Sequence, residues 1–253
     1  MFNSLKFKVI LFGFIFTFFS SFGQSYFLGL FNSSIREALS ITHGQFGTIY
    51  ASATLCSSLL LIWVGKKIDD VNIFKFAFFV TILLSFACFF FSRVTSVFLL
   101  FIAIFLMRFS GQGMMSHTAS TTISRYFTRT RGRALSISWF GLSSAEFIMP
   151  VLMVYLLTII DWQNLWLIFS ITVLIVLPIV SFLLIKNLNL DSREANDEDK
   201  KEVEIKQWKR REVIKDYRFY IISSNMLAMP WIFTGFAVFQ SFVQTSKGWG
   251  PYV

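Results

Sequence analysis

Seven stretches of this sequence are each long and apolar enough to cross a lipid bilayer: roughly residues 8–31, 45–64, 74–92, 96–123, 134–157, 164–186 and 219–245. A spanning helix needs about 20 such residues. The first stretch is too long for a signal-peptide core and has no small-residue cleavage site, so it counts as a span. Gly23, Gly29, Pro150, Pro178 and Pro230 interrupt the runs. Helices in lipid tolerate such residues because neighbouring helices satisfy the freed backbone groups. The expected fold class is an all-α integral membrane protein.

Composition agrees. Charged residues make up 15% of the chain and hydrophobic ones 55%, with 33 Phe, where a soluble domain carries about 25% charged residues. A soluble enzyme, a disordered tail and a disulfide scaffold are excluded. A net charge of +9 would point to nucleic acid in a soluble protein. Here the basic residues flank the apolar runs, so they set topology and no nucleic-acid partner is expected. Cys56 and Cys88 lie inside apolar runs without metal-ligand neighbours and read as small buried hydrophobes.

Orientation follows from Lys and Arg placement. With the N-terminus inside, the short inner segments hold Lys6, Lys8, Lys66, Lys67, Lys75, Arg125, Arg129, Arg131 and Arg133, against Arg36 and Arg93 outside. A cytoplasmic N-terminus in a cell membrane is expected. Residues 187–218 contain nine basic and nine acidic residues and read as a charged cytoplasmic linker. Val203, Ile205, Trp208 and Ile214 offer one weak apolar stripe that would suit an interfacial helix. The layout is a six-helix bundle over 1–186, the linker, and a seventh helix within 219–253 that starts a second, incomplete bundle.

Two charges stand inside spans. Arg108 lies about 12 residues, roughly 18 Å, from the outer end of span four, and Glu146 lies at similar depth in span five. A charged side chain at mid-membrane costs about 2.5–3.5 kcal/mol and normally faces a cavity or a partner. Opposite charges at matching depth on adjacent helices suggest a pair. It is either a structural lock between two helices or a substrate anchor and proton-linked switch. Gln24, Tyr50, Thr54, Gln112 and Asn225 are weaker cavity candidates that would also serve as hydrogen bonds between helices. The run Gly111-Gln112-Gly113 near-matches a dinucleotide fingerprint but lies within a span and not after a strand. Close-spaced glycines there let helices approach or flex.

The loops carry a resemblance. Gly65-Lys66-Lys67-Ile68-Asp69 follows span two, with Asp70 and Asn72 where a basic residue and glycine are usual. Arg108 precedes Gly111-Gln112-Gly113 in span four. Arg125-Tyr126-Phe127 and Arg131-Gly132-Arg133-Ala134-Leu135-Ser136 lead into span five, and Asp161-Trp162 precedes span six. In this order the motifs resemble the major facilitator superfamily, specifically its first half plus one helix. The resemblance implies bundles of inverted three-helix repeats, a site near the midplane and alternating access. It maps Gly65, Asp69, Arg131 and Arg133 to a cytoplasmic gate. Span five lacks the Gly-Pro pairing of drug–proton antiporters.

The function expected is secondary active transport of a small solute, an organic anion, by symport or antiport. Arg108 would hold the anionic group, Glu146 would carry the coupling, and Gln24, Tyr50, Gln112 and Asn225 would line the site. The partners expected are the solute, a proton or other coupling ion, and the bilayer. No metal-ligand or nucleophile constellation points to an enzyme or a cofactor. Proton-coupled efflux of hydrophobic or cationic compounds is the alternative within the fold. A non-transporting receptor or assembly subunit is the alternative of another class.

Overall fold

The structure, a computed structural model, describes residues 4–186, 188 and 210–249. Among these, seven segments are long and apolar enough to cross a membrane. The elements are α1 (Ser4–Ser20), α2 (Ser25–Leu30), α3 (Asn32–Leu39), α4 (His43–Val64), α5 (Ile73–Ser92), α6 (Val97–Met107), α7 (Ser116–Tyr126), α8 (Arg131–Leu156), α9 (Trp162–Ile185), α10 (Arg210–Lys215) and α11 (Tyr217–Lys247). The weak stripe at Val203, Ile205 and Trp208 lies outside the described residues. Its fourth member, Ile214, falls in α10 and is exposed.

Polar caps mark where the spans begin. Thr42 accepts from the Gln45 amide while the Gln45 side chain accepts from the Thr42 amide, so a capping box starts α4. Asn72 caps α5 by accepting from the Phe74 and Lys75 amides. Ser96 does the same for α6 through the Leu99 amide, and Asp216 for α11 through the Arg218 amide. Gly248, at φ 66°, ends α11 in the left-handed conformation that glycine adopts freely.

Two spans depart from a single regular helix. The first breaks after Ser20 into a tight turn, Ser21–Gly23, and then Gln24 is extended before α2 resumes. The fourth is α6, a π-helical stretch over Arg108–Met115, and α7. The wide π-turns and the break in span one meet: a Cβ on Gly111 would lie 2.6 Å from the Gly23 nitrogen and 2.8 Å from its Cα. Only glycine at both positions lets the two backbones cross this closely. Gly111, one of the two close-spaced glycines of span four, makes this approach; Gly113 faces the Leu61 side chain instead.

The pairing of helices is regular. α1 packs along α8, α4 along α6 and the π-stretch, and α5 along α9. In span numbers these are one with five, two with four, and three with six. That pattern maps onto itself when spans one to three are exchanged with four to six. Ser85 and Ser170 sit on the self-paired contact: each hydroxyl donates to the other's backbone carbonyl at 2.9 Å. The buried core carries aromatic rings around Trp166, with Phe91 at 4.5 Å and Phe31 at 5.1 Å between centroids. α11 rests on α2 and α3, where Asn32 Nδ2 donates to the Val238 carbonyl at 2.6 Å.

Candidate functional site

Arg108 opens the π-stretch and is 5% exposed. Its surroundings come from the broken span. A helix interruption strips carbonyls of their amide partners, and the Gly23 carbonyl is aimed at the guanidinium: Arg108 Nη1 donates to it at 2.9 Å. The same nitrogen reaches Ser25 Oγ at 3.3 Å. Tyr50, from α4, donates its hydroxyl to Ser25 Oγ at 2.8 Å and lays its ring 5.3 Å from the guanidinium carbon. A cation over an aromatic face is held by the ring quadrupole. Dipoles and a π-face thus hold the charge, and Arg108 Nε has no hydrogen-bond partner.

Arg108 also lines a cavity of about 300 Å³ with Ser57, Ser58, Leu61, Gln112 and Gly113. Ser57 and Ser58 both donate to the Thr54 carbonyl, at 3.0 and 2.9 Å. Their oxygens keep lone pairs for a further donor. The chamber therefore offers one guanidinium, one carboxamide and two hydroxyls, an arrangement that suits a small anion with further polar oxygens.

Glu146 is not part of this group. Among the described residues no ion pair joins it to Arg108, contrary to the pairing expected from matched depth. Depth fixes only one coordinate. Glu146 is exposed on α8, next to the buried Ala145. The break in span one meanwhile gives Arg108 other partners. Of the weaker candidates, Tyr50 and Gln112 join Arg108. Gln24 is the extended residue at the break and half-buried. Thr54 presents a buried hydroxyl without a partner. Asn225 stands apart: it is exposed and donates to the Ile221 carbonyl of its own helix at 3.0 Å.

At the membrane face that carries the N-terminus, the loop after α4 folds into a tight turn, Gly65–Asp69. α7 clamps it. His117 Nε2 bonds the Gly65 carbonyl at 2.9 Å, Arg125 Nη1 donates to the Ile68 carbonyl at 3.3 Å, and Arg125 pairs with Asp69. The gate that the resemblance implies also includes Arg131 and Arg133. Those two open α8, both exposed, and neither pairs with Asp69. Arg125 reaches it first because it lies in the last turn of α7, against the turn itself.

Sequence reasoning missed Gly23 as an acceptor, Ser25 as the bridge between Arg108 and Tyr50, and His117 as a clamp. A glycine followed by Gln24 and Ser25 inside an apolar run was the available signal for the break. No curated protein sequence matches the chain. The family model of the Major Facilitator Superfamily matches residues 13–253. The chain belongs to that superfamily, whose members are secondary transporters and not enzymes.

Proposed function

We propose that the protein moves a small organic anion across the membrane, with Arg108 as the anion anchor and Gln112, Ser57 and Ser58 as its polar wall. One observation carries this reading. A nearly buried guanidinium lines a polar chamber, and among the described residues no carboxylate pairs with it. A charge buried without a counter-ion is costly, and an anionic solute supplies the counter-ion during its passage. Tyr50 and Gly23 then orient the guanidinium, while Gln24 and Asn225 remain candidates of the wider pathway.

Glu146 serves as the proton-coupling group in this proposal, acting from the open face of α8 without forming an ion pair with Arg108. Asp69, Gly65 and Arg125 form the gate on the cytoplasmic side, with Arg131 and Arg133 beside it. Lys and Arg placement supports a cytoplasmic N-terminus in a cell membrane. Residues 4–186 form one bundle, and α11 is the first helix of another.

The test is uptake of radiolabelled carboxylates into proteoliposomes. Arg108→Ala should lower the apparent affinity 10- to 100-fold, since a charged hydrogen bond is worth about 1.5–3 kcal/mol. Unchanged uptake by a well-inserted Arg108→Ala protein overturns the anchor role. Efflux of cationic dyes that depends on Glu146 and not on Arg108 would favour the export alternative.

A further inference from the structure

A second cavity, of about 190 Å³, opens at the N-terminal membrane face between the starts of α1 and α8 and the connection before α8. It is separate from the Arg108 chamber. Its walls are Ile10, Phe127, Ala134 and Ile137, and its cations are Lys6 and Arg133; no lining residue is acidic. Arg133 is exposed and has no hydrogen bond or ion pair among the described residues. Lys8, Arg129 and Arg131 lie nearby in sequence but do not line the cavity.

The order of these residues in depth is informative. Both α1 and α8 run inward from this face. On α1, Lys6 precedes Ile10 by four residues; on α8, Arg133 precedes Ile137 by four. At about 1.5 Å per residue the isoleucines lie some 6 Å deeper than the cations. Residues four apart share a helix face. Each helix therefore presents the same pair, charge at the aqueous end and hydrocarbon one turn below. A ligand that matches both is an amphiphile with an anionic head and an apolar tail. Basic pockets between spans at this membrane level suit phospholipid head groups.

We propose that this groove binds one anionic phospholipid, with its phosphate between Lys6 and Arg133 and an acyl chain along Ile10, Ala134 and Ile137. The complementary charge and the apolar walls together single out a lipid over a free anion. The proposal rests on the chain spanning a membrane and not on the transported solute.

The experiment is electron spin resonance on the purified full chain in detergent–lipid micelles, with spin-labelled phosphatidylglycerol or phosphatidylcholine as the probe. The wild-type protein should prefer phosphatidylglycerol. Arg133→Gln and Lys6→Gln should each cut that preference about five-fold, the effect of one basic residue at a membrane surface. Arg133→Lys should keep most of it, and Arg131→Gln, on the same face but outside the groove, should keep it too. Ile137→Trp fills the apolar wall and should weaken phosphatidylglycerol binding with all charges in place. This variant carries the test where Arg133→Gln does not fold, and equal phosphatidylcholine association checks folding throughout. The proposal is overturned by absence of a phosphatidylglycerol preference, by an equal loss in Arg131→Gln, by no loss in Ile137→Trp, or by displacement of the probe with millimolar inorganic phosphate.

Discussion

Arg108 Nη1 donates to the Gly23 carbonyl at 2.9 Å, so the buried cation of span four is held by the break in span one. The two irregular stretches depend on each other. The break frees the carbonyl, and the cation satisfies it. The crossing brings their backbones together with no side chain between.

That crossing should not admit a methyl group. Gly111→Ala would press a Cβ onto the Gly23 backbone, and Gly23→Ala would press one onto Gly111 and Gln112. Overpacking of this kind costs about 1–3 kcal/mol. Thermal unfolding in detergent should show both variants destabilised. Gly44→Ala, with open space around its Cβ, should unfold no earlier than wild type.

Ser25 is the hub between Arg108 and Tyr50. Ser25→Ala removes the acceptor of both donors, and a buried donor left unpaired costs about 1–3 kcal/mol. Tyr50→Phe removes one donor but keeps the ring beside the guanidinium. Solute affinity should fall further in Ser25→Ala than in Tyr50→Phe. The reverse order in a transport assay would remove Ser25 from the site.

At the gate, Arg125 and Asp69 should be coupled and Arg131 and Asp69 should not. Both side chains of the Arg125–Asp69 pair are partly exposed, so a double-mutant cycle on stability should give only about 0.2–1 kcal/mol. The cycle with Arg131→Ala and Asp69→Asn should give a value indistinguishable from zero. Coupling of Asp69 to Arg131 alone would overturn the pairing with Arg125.

Ser85 and Ser170 should behave as one unit. Hydrogen bonds between spans average about 0.6 kcal/mol and reach about 1.7. Ser85→Ala and Ser170→Ala should each lower stability by an amount in that range. The double variant should lose less than the sum, because the two hydroxyls also meet each other at 3.2 Å and either single change removes that shared contact. Strict additivity would show that the bonds act independently.

The seven spans were legible because hydropathy over about 20 residues reports directly on what lipid requires. Arg108 was legible because charge in such a run is rare. Its partners were not. The polar run from Ser20 to Ser25 marks the break in span one but does not say where its bare carbonyl points, and the match in depth between Arg108 and Glu146 ignores which side of each helix faces the other. Asp69 was found by its spacing from Gly65, whereas its basic partner depended on how the last turn of α7 meets the Gly65–Asp69 turn. Sequence spacing carries the position of a group along its own helix; the choice among neighbours on other helices is made by packing.

The π-helical stretch has a lasting effect on span four. α6 and α7 each keep the angular spacing of an ordinary helix, but the wide turns between them set the two out of phase. A helical wheel drawn straight from Phe101 to Tyr126 therefore superimposes two different compass bearings. Side chains that share a bearing on paper look out in different directions on either side of Arg108–Met115.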